Sequence, residues 1–165
     1  MGRRRSWART GRRVWHALYR LAADQASARI FPGLPEYFNL DRRGMYAYLT
    51  GSASWLMHLL VTQVYGIRGE WGDLVLDPQL TRNDFGGTTE TAVQLTFAGR
   101  LLRVTFVNPR RLDAGRYRVS DVRAGAAPLP CIVELRGGVR VSRRAIERLP
   151  RRAPTNLRVT LSPCT

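Results

Sequence analysis

Between Arg13 and about Ala28, the apolar positions Val14, Leu18, Leu21 and Ala22 recur at helical spacing and predict an amphipathic helix. The twelve residues before it read as a ragged basic leader. Residues 30–48 lose that period. Pro32-Gly33 and Pro35 block a regular helix, and Asp41-Arg42-Arg43-Gly44 marks a turn. The segment holds Phe31, Tyr37, Phe38, Tyr46 and Tyr48, a composition expected of a packed loop that carries a binding surface. From Ala53 to Tyr65 apolar residues fall on nearly every face (Trp55, Leu56, Met57, Leu59, Leu60, Val61, Val64), and Gly66 can end the run. Such a helix is expected to be buried all round. The preceding residues offer one other clear helix to cover it, so its remaining neighbours are expected from another polypeptide.

After Gly72 the period shortens. Asp73-Leu74-Val75-Leu76 predicts a short strand stopped by Asp77-Pro78. Residues 91–97 and 101–107, joined across Gly99-Arg100, predict an antiparallel hairpin. Shorter strands are expected at 117–122, 132–135 and 157–161, and residues 142–149 can form a short helix capped by Ser142 or an irregular connector. The helical part gives way to the β part near Gly69–Asp73. This divides the chain into residues 1–71 and a small β domain, 72–165, with no internal repeat.

Composition changes this picture in one respect. All 27 basic residues are arginine, against 12 acids, giving a formal charge of +15. Since Arg and Lys are not interchangeable physically, the absence of Lys points to a coding bias toward Arg. The doublets and triplets (Arg3-Arg4-Arg5, Arg12-Arg13, Arg42-Arg43, Arg110-Arg111, Arg143-Arg144, Arg151-Arg152) lie in no nucleic-acid motif. A solvated face or a surface for anions is the expected reading, with nucleic acid the less favoured partner. Two cysteines, Cys131 and Cys164, make no disulfide framework, and two histidines, His16 and His58, make no zinc constellation, so no metal is expected. The longest apolar stretch is far too short to cross a bilayer, which predicts a cytoplasmic protein with no membrane partner.

The candidate chemistry lies at Thr50-Gly51-Ser52. N–H groups at a helix start are unpaired and can meet an anion, Gly51 allows close approach, and a hydroxyl of Thr50 or Ser52 can add a donor. The simpler alternative is that Thr50 or Ser52 only caps the helix. Trp55 can lie under a sugar ring or be core. Glu36 and Tyr37 can offer a carboxylate and an aromatic platform to a sugar, or be a surface acid beside a packed ring.

The run from Gly44 to Trp55 (GMYAYLTGSASW), with Val64-Tyr65-Gly66-Ile67-Arg68-Gly69 and Gly72-Asp73-Leu74-Val75-Leu76-Asp77-Pro78, resembles glycoside hydrolase family 94. That family holds cellobiose and chitobiose phosphorylases and the phosphorylase-like domain of cyclic β-1,2-glucan synthases. The resemblance implies an α+β chain: the last helices of an (α/α)6 barrel followed by a small antiparallel β domain. It implies a fragment of an inverting β-glucoside phosphorylase, a glycosyltransferase that needs no cofactor and uses inorganic phosphate as co-substrate. Thr50 and Gly51 would bind phosphate, and Glu36 and Tyr37 would contact substrate. The chain departs from the family by lacking a match to its general-acid Asp and to its Arg-His phosphate contacts. No catalytic residue is therefore assigned, and the chain alone is expected to turn over little or nothing. Two other expectations follow: an assembly subunit whose missing neighbours come from an upstream-encoded polypeptide, or a basic module that binds polyanions.

Overall fold

The computed structural model describes residues 2–30, 33–46, 51–134 and 137–164, and from residue 10 onward their side chains. Two compact units divide the chain, Met1–Leu60 and Val61–Thr165.

In the first unit, α1 (Gly2–Ala23) runs through the predicted leader. Arginine is a good helix former, so clustered arginines extend a helix as readily as they mark a tail. Asp24 breaks the helix and starts α2 (Gln25–Ala28), its carboxylate accepting the Ser27 N–H at 3.3 Å and the Ser27 hydroxyl at 2.7 Å. A ribbon follows, made of β1 (Tyr37–Phe38) and β2 (Gly44–Met45). Its turn is organised by Asn39, whose side-chain oxygen accepts the N–H groups of Asp41 and Arg43 at 3.0 and 2.9 Å. Gly44 is pressed into a small knot, where a Cβ would stand 2.8 Å from Ile30 Cδ1 and 3.0 Å from both the Ala28 carbonyl and Pro35 Cβ. The apolar helix is α3 (Ser52–Leu59), continued by one π-helical turn, Leu60–Val64. Among the described residues of this unit, only Ala28, Pro35 and Gly44 are buried.

The second unit has a core. Its strands are β3 (Ile67–Glu70), β4 (Asp73–Leu76), β5 (Glu90–Phe97), β6 (Arg100–Val107), β7 (Tyr117–Ala124), β8 (Ala127–Pro128), β9 (Ile132–Val133), β10 (Val139–Val141) and β11 (Thr155–Pro163), with helix α4 (Arg143–Glu147) between the last two. They form a four-stranded sheet in the order β3-β4-β10-β9 and a five-stranded sheet in the order β5-β6-β11-β7-β8. Strict alternation sends Leu102, Val104 and Phe106 of β6 and Leu157, Val159 and Leu161 of β11 inward. There they share one cluster with Ile67, Leu74, Leu76, Val139 and Val141 of the other sheet and with Ile146 of α4. Each such side chain contributes about 1.5–3 kcal/mol by leaving water. Ser142 caps α4 as its sequence allows, accepting the Ala145 N–H at 3.2 Å.

Two tethers close this core. Gly66 has φ of 66°, and a Cβ there would fall 1.9 Å from the Asp77 carbonyl oxygen, so the strand entry requires glycine. The Tyr117 hydroxyl lies 3.0 Å from the carbonyl oxygens of both Pro78 and Leu80, and pins the segment that leaves β4.

The barrel expectation is corrected here. The described residues form four α-helices and three open sheets, with no sheet closed on itself, and they do not form the terminal helices of an (α/α)6 barrel. Barrel helices must bury a face against neighbours, and α3 buries no residue at all. Within the stretches that carry the resemblance, Ile67–Leu76 forms the β3–β4 hairpin. The β unit is not purely antiparallel either, because β11 returns parallel to β6.

Candidate functional site

Thr50 lies outside the described residues, so its pairing with Gly51 is not visible. Gly51 is the N-cap of α3 with helical dihedrals, its carbonyl accepts the Trp55 N–H at 2.9 Å, and a Cβ at this position would meet the Trp55 ring at 3.2 Å. Glu36 is exposed. Tyr37 starts β1 opposite Met45, half-exposed, with its ring edge-on to Tyr46 at 5.4 Å between centroids. Among the described residues no hydrogen bond joins Glu36 or Tyr37 to Gly51.

What the first unit does present is apolar surface. Trp55 is 72% and Met57 62% exposed, Leu59 is also exposed, and Trp55 stands edge-on to His58. On α1, Val14, Leu18 and Tyr19 are exposed as well. Residues 1–60 hold ten arginines against three acids, so this apolar surface belongs to a strongly basic unit.

The second unit carries a lattice of ion pairs on the outer face of its four-stranded sheet. Arg68 reaches Glu70 at 2.7 Å and Asp77 at 3.6 Å, while Arg140 reaches Glu134 at 2.7 Å and Glu70 at 3.1 Å. Val75 lies between them in register with both arginines and is buried, because the two long side chains cover it. The hydrogen bond from Arg68 foremost, against an opposing cost of desolvation and with further help from the charge of Arg68 and from Arg140, holds the Glu70 carboxyl below its ordinary range. These charges satisfy one another, and the lattice is a structural device.

One end of the second unit is different. The β3–β4 hairpin turns through Trp71-Gly72, both with positive φ (53° and 88°). Asp73 accepts the Arg143 N–H at 2.8 Å, which sets the start of α4 beside this turn. The neighbouring β5–β6 hairpin turns through Ala98-Gly99. From it Arg100, a buried residue, donates to the Leu149 carbonyl at 2.7 Å and to the Glu147 carbonyl, holding the end of α4. Trp71 received no role from the sequence, because Trp-Gly is not among the dipeptides that signal a two-residue turn.

Among the described residues no group of three or more His, Cys, Asp or Glu side chains is placed to hold a metal ion. Both cysteines are free, and partial desolvation, then the charge of Asp121, raises the Cys131 thiol above its ordinary range, which disfavours a reactive thiolate. No described helix is long and apolar enough to cross a membrane.

Neither a protein-family model nor a curated protein sequence matches the chain. Because the described residues form no part of an (α/α)6 barrel, the reading as a phosphorylase fragment is overturned, and with it the assignment to glycoside hydrolase family 94.

Proposed function

We propose that this chain is an assembly module: a self-sufficient β unit that presents a helical segment for docking to a partner polypeptide. One observation carries the reading. Residues 1–60, with a 22-residue helix and a second helix that carries Trp55, Leu56, Met57 and Leu59, bury only Ala28, Pro35 and Gly44 among those whose side chains are described. Ordering a residue costs about 1–2 kcal/mol of backbone entropy, and three small buried residues cannot offset that over such a length. A partner that covers Trp55, Met57 and Leu59 supplies the missing burial. Apolar side chains exposed on opposite faces of one helix, Trp55 and Leu59 on one and Met57 on the other, favour a partner that wraps the helix. The excess of arginine on the same unit favours a partner whose apolar groove is rimmed by acids.

The product encoded immediately upstream is the partner to test first. Two exposed free thiols suit a reducing compartment, so the reading places the protein in the cytoplasm. It makes no use of a β-glucoside or of phosphate at Thr50 and Gly51. Size-exclusion chromatography with light scattering on the full chain, alone and mixed with that product, tests it. The expected result is association of the chain alone, replaced by a defined complex on mixing, and both lost in a Trp55→Ser/Met57→Ser variant that keeps its β structure. A parent chain that stays monomeric with a cooperatively folded helical segment contradicts the reading.

A further inference from the structure

We propose that the end of the second unit formed by the Trp71-Gly72 turn, α4 and the segment through Arg152 binds single-stranded nucleic acid without sequence preference. It rests on different residues from the helical docking surface and stands independently of it.

The first observation is Trp71 itself. It is 98% exposed, in a two-residue hairpin turn, at φ of 53°. Turns with two positive φ values favour Asn-Gly, and a bulky side chain at the first of those positions is held at a cost. A large aromatic placed in water by a strained backbone, where asparagine would be more stable, is the mark of a contact residue.

The second is charge. Residues 143–152 hold Arg143, Arg144, Arg148, Arg151 and Arg152 against the single acid Glu147, and Arg143 already takes that acid at 2.7 Å. The other four have no acidic partner among the described residues. The Asp73–Arg143 and Arg100–Leu149 hydrogen bonds fix the strip at the end of the unit that carries the Trp71 turn.

An exposed indole at the end of the unit that also carries these arginines offers a single strand both of the contacts it needs. Any base can stack on the ring, and successive phosphates can follow the arginines. A duplex keeps its bases stacked on one another and leaves no face for the indole.

The test is fluorescence anisotropy of a labelled oligothymidylate of about 12 nucleotides with the full chain, across a salt series. Trp71→Asn is expected to weaken binding about 5- to 100-fold while raising the melting temperature, and Trp71→Phe to keep most of the affinity. Arg148→Gln/Arg151→Gln/Arg152→Gln is expected to reduce the slope of log affinity against log salt by about 2. Duplex of equal length and vesicles rich in phosphatidylserine are expected to bind more weakly than the single strand. Undiminished binding by Trp71→Asn overturns the proposal, as does an unchanged salt slope in the triple variant. Tighter binding to the vesicles or the duplex overturns it as well.

Discussion

Gly66 and Arg100 show how much of the second unit depends on single residues. At Gly66 a methyl group would collide with the Asp77 carbonyl and also oppose the backbone's positive φ. Gly66→Ala is expected to lower stability by about 3 kcal/mol or more, read as a shift in the midpoint of urea unfolding. Arg100 is a buried cation that donates its side-chain hydrogen bonds to the carbonyl oxygens of Gly99, Glu147 and Leu149. Arg100→Leu leaves at least two of these acceptors unpaired, and a loss of about 2–4 kcal/mol in the same assay is expected. The glycine was legible in the sequence as a helix stop, and the structure adds that it is also the only residue the approach of residue 77 tolerates. The arginine was not legible, because nothing in Gly99-Arg100 tells that its side chain folds back onto a helix more than forty residues later. Trp71 was illegible for a similar reason: its exposure depends on the register of β3 against β4, which the chain states only once both strands are paired.

At the scale of elements, alternation of apolar and polar residues located β4, β5, β6, β7 and β11 close to their observed bounds. It failed where glycine or charge interrupted the period. β3 was hidden by Arg68 and Gly69, and β10 by Gly137-Gly138 before it. α3 was recognised as a helix, but its apolar residues were expected inside, and the described structure leaves them outside. Hydrophobicity fixes what a helix should bury and says nothing of which polypeptide covers it. The ion-pair lattice over Val75 gives the four-stranded sheet a pH dependence. Because the folded state holds the Glu70 carboxyl below its usual range, that contribution is complete at neutral pH. It begins to fall below the unfolded-state value and is gone once pH passes below the folded-state value. The difference in urea midpoint between the parent and Glu70→Gln is therefore expected to be present at pH 7 and to shrink as the pH falls below the ordinary carboxylate range. A difference that grows on acidification would contradict the role given to Arg68 and Arg140.

For the whole molecule, the chain divides into a unit that has its own core and one whose described residues form none. The second unit buries side chains from both sheets and from α4 in one cluster, whereas the described part of the first closes only a knot at Ala28, Pro35 and Gly44. The sequence resemblance led elsewhere because short runs around Gly51, Gly66 and Asp73 carry local turn and cap chemistry that an unrelated architecture can also use. Native-state hydrogen exchange of the isolated full chain tests this division most directly. Amides of β6, β7 and β11 are expected to exchange only through global unfolding, and those of α1 and α3 through openings of far lower free energy. Protection of α1 and α3 equal to that of the sheets would contradict the account, since it would mean that residues 1–60 are already fully packed within the chain itself.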